Sequence, residues 1–214
     1  MTDADAWAAE AEDRVLDKAL ELAPTMGWTR LTARAAGRAC GLTPADVELL
    51  MPNGAADLAA LLARRHDARA LAALGDVDPQ ALKVRERVRA ALAARIEAAA
   101  ADGPAVRRWA GWLALPHHLP LAARLLWASA DALWRWAGDT ATDENHYSKR
   151  AILGGVLAGA LAIRLQQGEA AAMAFVDARI DNVMTFEKWK ATTRLRPQDA
   201  LRDLAVALGK LRYG

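Results

Sequence analysis

The sequence predicts an all-α protein: a helical bundle of about nine body helices, followed by a carboxy-terminal amphipathic helix. Three observations carry the helical class. Alanine and leucine dominate a 214-residue chain that is 54% hydrophobic and 25% charged, with almost no runs of β-branched residues, so intrinsic propensity favours helix nearly throughout. No stretch sustains the two-residue alternation of a strand. Glycine and proline punctuate the apolar periods at helical lengths.

Taken in order, the apolar spacing predicts helices over 4–26, ended by Gly27; 31–40, ended by Gly41; 44–51; 55–74, ended by Gly75; 79–101; and 104–114. The next, 118–137, places Leu119, Ala122, Leu126, Ala130, Leu133 and Ala137 on one face and stops at Gly138. In 143–166, Thr142 can cap the start while Asp143 and Glu144 sit where carboxylates favour the positive end of the helix dipole. Its apolar run from Ala151 to Ile163 is too short for a span, which needs about twenty residues. A helix over 169–190 follows. Pro197 then sets off 198–212, where Leu201, Leu204, Leu208 and Leu211 form an amphipathic stripe that needs a surface to lie on. That surface is the protein's own core, a second copy or a bilayer, with Arg202, Lys210 and Arg212 near anionic lipid in the last case.

Net charge is +2 with the bases dispersed, which gives no strong case for nucleic acid. The single cysteine, Cys40, makes neither an internal disulfide nor a thiolate metal cage. The acidic opening "MTDADAWAAEAEDRV" suits neither a mitochondrial presequence nor a secretory signal and predicts a bacterial cytoplasm, to which the amphipathic stripe of 198–212 adds peripheral association with the inner membrane. The four histidines, His66, His117, His118 and His146, have no glutamate three residues before them, so they do not form the Glu-x-x-His pairs of helical di-iron sites. No phosphate loop, nucleophile elbow or HExxH motif occurs. No catalytic residue, metal or cofactor is therefore assigned.

The first three helices resemble the amino-terminal helix-turn-helix module of TetR-type regulators, with Gly41, Leu42 and Thr43 fitting its turn. The helix corresponding to the recognition helix carries Asp46 and Glu48 and no Lys or Arg. A phosphate-lined groove calls for cations there, so the module is read as a retained fold without DNA-binding chemistry. Three segments follow: 1–53, this module; 54–194, a ligand-binding body; and 195–214, a membrane-docking helix.

"LPHHLP" and "LWRWAGDTATDENHYSKRA", above all the pattern from Trp136 to Tyr147, are similar to the ubiquinone-biosynthesis accessory family often called the ninth Coq protein. That resemblance implies a TetR-like fold, a lipid pocket in the core, a membrane-meeting last helix and a partner, the di-iron demethoxyubiquinone hydroxylase. It also implies a docking patch comprising Leu133, Asp143, His146, Tyr147 and Arg150, with His146 standing where animal relatives carry tryptophan. Gly154, Gly155 and Gly159 each weaken a helix by about 1 kcal/mol relative to alanine. Either they let helices pack closely or they keep a tunnel open. The resemblance favours a tunnel walled by Trp112, Leu126, Leu153, Leu157 and Leu161, with a lipid or isoprenoid quinone as ligand. By analogy with TetR-like chains, 143–166 and 169–190 pair two copies as a homodimer. The expected function is non-catalytic presentation of membrane quinone intermediates to the hydroxylase. The alternatives are a TetR-like transcription regulator sensing an apolar ligand and, more weakly, an enzyme with an unrecognised site.

Overall fold

A computed structural model describes residues 3–139 and 144–192 of the chain, and side chains over 5–139 and 146–182. Among the described residues there are nine α-helices, two 3-10 turns and no strand. The helices are α1 (Asp3–Met26), α2 (Arg30–Ala39), α3 (Pro44–Leu50), α4 (Ala55–Ala73), α5 (Val84–Ala100), α6 (Gly103–Leu113), α7 (Leu119–Trp136), α8 (Glu144–Gln167) and α9 (Glu169–Thr192). The all-α class is borne out. None of these helices is long and apolar enough to cross a membrane. The predicted helix over 198–212, with Leu201, Leu204, Leu208 and Leu211, lies outside the described residues, as does Asp143.

Local chemistry explains most boundaries. The backbone turns left-handed at Gly27, Gly41, Gly138 and Gly168, with φ between +73° and +93°, a conformation that glycine adopts without the Cβ clash. Thr29 Oγ1 accepts from the Thr32 N–H at 3.1 Å to start α2. Thr43 and Asp46 satisfy each other's backbone N–H groups in a reciprocal cap that starts α3.

The helix predicted over 79–101 divides into a 3-10 turn at Pro79–Ala81 and α5 from Val84. Asp78 caps the turn, extended backbone at Leu82 and Lys83 interrupts it, and the Glu86 carboxylate accepts from the Lys83 N–H at 2.9 Å. Two separate sets of capping bonds thus replace one continuous ladder.

The chain forms two compact units, Met1–Val176 and Asp177–Gly214. In the first, α1 packs on α2, α4 and α6; α4 on α5 and α7; and α8 on α5 and α7. One core cluster runs from Val15 and Leu16 through Trp28, Leu58 and Leu62 to Trp109 and Leu161, so residues before and after position 53 share the same interior. Indole N–H groups of Trp28 and Trp109 donate to the Ala55 and Ala59 carbonyls, at 3.0 and 3.3 Å. Around the rim, Arg65 joins α4 to Asp13 and Asp17 of α1, and Arg164 joins α8 to Glu97 of α5. The described part of the second unit is the remainder of α9.

Candidate functional site

Five helices of the first unit, α4 to α8, enclose a cavity of about 290 Å³. Buried residues form its inner end: Ala63 on α4, Arg95 on α5, Trp109 and Leu113 on α6, Ser129 on α7, and Leu157 and Leu161 on α8. Its outer end is lined by exposed Ala114, Leu119, Ala158 and Ala162. Space arises because alanines occupy positions where longer side chains would meet.

Of the predicted pocket residues, Leu126, Leu157 and Leu161 line this cavity. Leu153 is buried but does not line it. Trp112 does not line it either: its ring stacks on His118 at 3.6 Å, and its carbonyl accepts from His118 Nδ1 at 2.8 Å, closing the turn between α6 and α7. Arg95, Trp109 and Leu113 went unrecognised. For the last two a signal exists, since Ala105, Val106, Trp109 and Leu113 recur at helical spacing and are all buried.

The glycines of α8 do not create the space. A Cβ at Gly154 would touch the Leu126 side chain and backbone at 3.6 Å, and one at Gly159 would come within 2.9 Å of Phe175. Both belong to close packing against α7 and α9. A Cβ at Gly155 would meet nothing within 4 Å.

Beside the inner end lies a buried polar network. Arg95 is 2% exposed and donates from Nε to Asp67 Oδ1 at 2.5 Å. His66 is fully buried, with Nε2 3.0 Å from Asp102 Oδ2, and Asp102 also accepts from Arg69 Nη1 at 2.9 Å. The His66 ring meets the Trp109 ring at right angles, centroids 6.3 Å apart. Desolvation and the Arg95 charge bring the His66 pKa down to about 4 against the upward pull of Asp102, so the imidazole is neutral near pH 7. Since a carboxylate only accepts, Nε2 carries the proton and Nδ1 is a bare acceptor. Burial also lowers the pKa of Arg95, opposed by Asp67; an arginine nonetheless keeps its charge. Two buried side-chain atoms of the described residues have no hydrogen-bond partner: His66 Nδ1 and Arg95 Nη1.

The second candidate site is the α7–α8 junction. Arg150 is 2% exposed and donates to Asp131 at 2.6 Å, Asp139 at 3.0 Å and the His146 carbonyl at 3.2 Å. Lys149 donates to Asp139 at 2.6 Å, and the Trp134 indole donates to the Lys149 carbonyl at 3.1 Å. Burial opposes ionisation of Asp131 and Asp139, yet hydrogen bonds from these cations hold both carboxyls below the usual range. Above this network His146, Tyr147 and Trp127 cluster, with ring centroids 5.2 to 6.2 Å apart. Tyr147 is 65% exposed and Trp127 is partly so. Of the predicted docking residues, His146 and Tyr147 thus lie in a surface cluster. Leu133 and Arg150 lie buried beneath, where they set its position and touch nothing outside. Trp127 was not anticipated.

In the amino-terminal module, Glu48 of α3 pairs with Arg30 at 3.0 Å and Arg34 at 3.9 Å, both on α2. The acids of this helix therefore have internal uses, Asp46 as a cap and Glu48 as counter-ion. No group of His, Cys, Asp and Glu able to hold a metal occurs among the described residues.

A family model described as COQ9 matches residues 119–187. The chain is similar to "Ubiquinone biosynthesis protein COQ9, mitochondrial" of Bos taurus, 28% identical over 158 residues, covering 69% of this chain and 48% of the relative. It is also similar to COQ9-B of Xenopus laevis, 27% identical over 224 residues, covering 94% and 73% respectively. Against the Homo sapiens COQ9 it is 26% identical over 158 residues, covering 69% and 48%. The chain thus spans about half the length of the bovine and human relatives it matches. These similarities bear out the resemblance to the ubiquinone-biosynthesis accessory family.

They overturn the expected bacterial cytoplasm, because the relatives are mitochondrial proteins. The acidity behind that expectation belongs to α1, which begins at Asp3, and so reports a solvated helix face, not a compartment.

Proposed function

We propose that this chain is a non-catalytic accessory of ubiquinone biosynthesis that holds an apolar quinone intermediate or related lipid and brings it to the di-iron demethoxyubiquinone hydroxylase. The observation that carries the reading is the apolar cavity of about 290 Å³ opening between Leu119, Ala158 and Ala162. Its volume is at the lower edge of the roughly 300 to 1,000 Å³ typical of small-molecule sites, so one end of such a ligand is enclosed while a long isoprenoid tail stays in the bilayer. An apolar tail is costly to expose to water, and access to the substrate is then the step that needs help. The names of the relatives support the pathway.

In this reading the surface cluster of Trp127, His146 and Tyr147, with Asp143, meets the hydroxylase; an exposed aromatic group bordered by charges suits the centre of an interface. Residues 198–212 lay Leu201, Leu204, Leu208 and Leu211 on the membrane surface, and α8 and α9 pair two copies. No cofactor takes part. Mass spectrometry of an organic extract of the purified protein tests the central claim: a co-purifying isoprenoid quinone or lipid is expected. No extracted lipid, together with no rise in Tm on adding ubiquinone analogues, would refute it. Tyr147→Ala and Trp127→Ala are expected to weaken co-purification with the hydroxylase, and removal of residues 198–214 to abolish flotation with anionic liposomes.

A further inference from the structure

We infer that the cavity takes its ligand head first: an uncharged carbonyl oxygen of an otherwise apolar molecule accepts a hydrogen bond from Arg95 Nη1 at the inner end, and the chain leaves past Leu119. This rests on the ligand-site reading above and adds the polar chemistry and the direction of what is bound.

Arg95 lines the cavity, is 2% exposed, and has one terminal NH2 group, Nη1, with no acceptor in the protein. Buried donors are rarely left so, and a ligand or water is the usual complement. Arg95 stands among buried Ala63, Trp109 and Leu161, whereas the exposed lining residues, Leu119 among them, are apolar. A polar group entering this cavity therefore finds its strongest donor at the far end.

Charge decides which acceptor fits. The Arg95 cation is already paired with Asp67, and Asp102 is paired with Arg69. His66 beside them is neutral near pH 7, so the inner end holds no surplus positive charge. A carboxylate or phosphate would bring an unbalanced anion into an apolar chamber, which is strongly disfavoured. A neutral carbonyl fills one donor and adds no charge. It follows that a bound head is screened from water and from a second protein until it withdraws through the mouth.

The test uses the purified full chain and three probes of matched length delivered from cyclodextrin: 2-undecanone, n-undecane and decanoate. The ketone is expected to bind at least about tenfold more tightly than the alkane, the effect of one hydrogen bond to a charged donor. Its carbonyl infrared band should move to lower wavenumber on binding. Arg95→Lys keeps a cation for Asp67 but loses the spare guanidinium donor; it should abolish the band shift and the ketone's advantage over the alkane. Should that variant not fold, the Asp67→Asn, Arg95→Met double variant removes both charges and is expected to bind ketone and alkane equally. Equal binding of ketone and alkane by the native chain, with an unshifted band, overturns the inference, the donor then holding a buried water only. Tightest binding by decanoate also overturns it, in favour of an anion. If none of the probes binds, the inference and the ligand-site reading fall together.

Discussion

Single residues in this chain separate what holds the fold from what is exposed on its surface. His66 is held at about 4 in the folded protein and has a reference value near 6.5. The unfolded chain binds the proton more readily, so the stabilisation is full above pH 6.5 and is lost as pH falls toward 4, by about 3 kcal/mol in all. Tm is expected to drop between pH 7 and pH 4.5, and His66→Gln to flatten that drop; an undiminished drop in the variant would place the acid sensitivity elsewhere. Asp131 and Asp139, whose carboxyls sit below the usual range, lose their stabilising effect in a lower, separable window. At the α7–α8 junction, Arg150→Met removes the buried cation that Asp131 and Asp139 share and leaves them only the more exposed Arg135 and Lys149, which should cost about 2 to 4 kcal/mol in urea denaturation. Tyr147→Ala, at an exposed position, should stay within about 0.5 kcal/mol. If the proposed hydroxylase contact exists and both variants lose it, the causes differ: unfolding of the support in one, removal of an exposed ring in the other.

Helices carry the next level, and their glycines fall into opposite classes. A Cβ at Gly37 would lie 2.2 Å from Val47 Cγ2, so Gly37→Ala is expected to force α2 and α3 apart and destabilise by about 1 to 3 kcal/mol. Gly155→Ala meets open space and should instead stabilise by roughly 0.5 to 1 kcal/mol through helix propensity; thermal denaturation of the pair distinguishes them. The same local rules made the helices legible in the sequence. Gly27, Gly41 and Gly138 end helices because the chain there turns left-handed, and the apolar period marks the faces that α7 and α8 bury. The break before Val84 was hidden because Pro79 gave a plausible helix start and nothing in "QALK" announces extended backbone at Leu82 and Lys83. The cavity was half legible. Leu126, Leu157 and Leu161 lie on predictable faces, but Arg95 follows Arg85, Arg87 and Arg89 in one stretch and reads as another solvated base. Only the approach of Asp67, 28 residues away on α4, makes its burial tolerable, and no local period reports that. In the segment proposed to dock, Tyr147 is exposed, whereas burial of Leu133 and Arg150 depends on how α7 meets α8.

At the scale of the first compact unit, a well-packed core stands beside a chamber that the protein's own side chains do not fill. Leu16, Leu58, Leu62 and Val106 are almost wholly buried and give a close-packed interior. Yet a run of alanines, among them Ala63, Ala110, Ala122 and Ala158, borders a chamber of about 290 Å³ beside an arginine with a spare donor. For stability alone that arrangement is poor, since unfilled apolar volume forfeits contacts and a buried unpaired donor forfeits a hydrogen bond. Such a defect is maintained where occupancy matters more than packing, so filling it should separate the two. Ala110→Leu places three more carbon atoms against Trp109 and Leu113 inside the chamber. If they settle without strain, stability rises by about 0.5 to 2 kcal/mol, within the range of cavity-filling substitutions. The same variant is expected to lose at least tenfold in affinity for 2-undecanone and to yield less extractable lipid. Denaturation and probe binding on one preparation check both: higher Tm with weaker binding identifies the chamber as a ligand site kept open against the interest of the fold. Lower Tm with undiminished binding would mean that whatever the protein carries lies somewhere other than between α4 and α8.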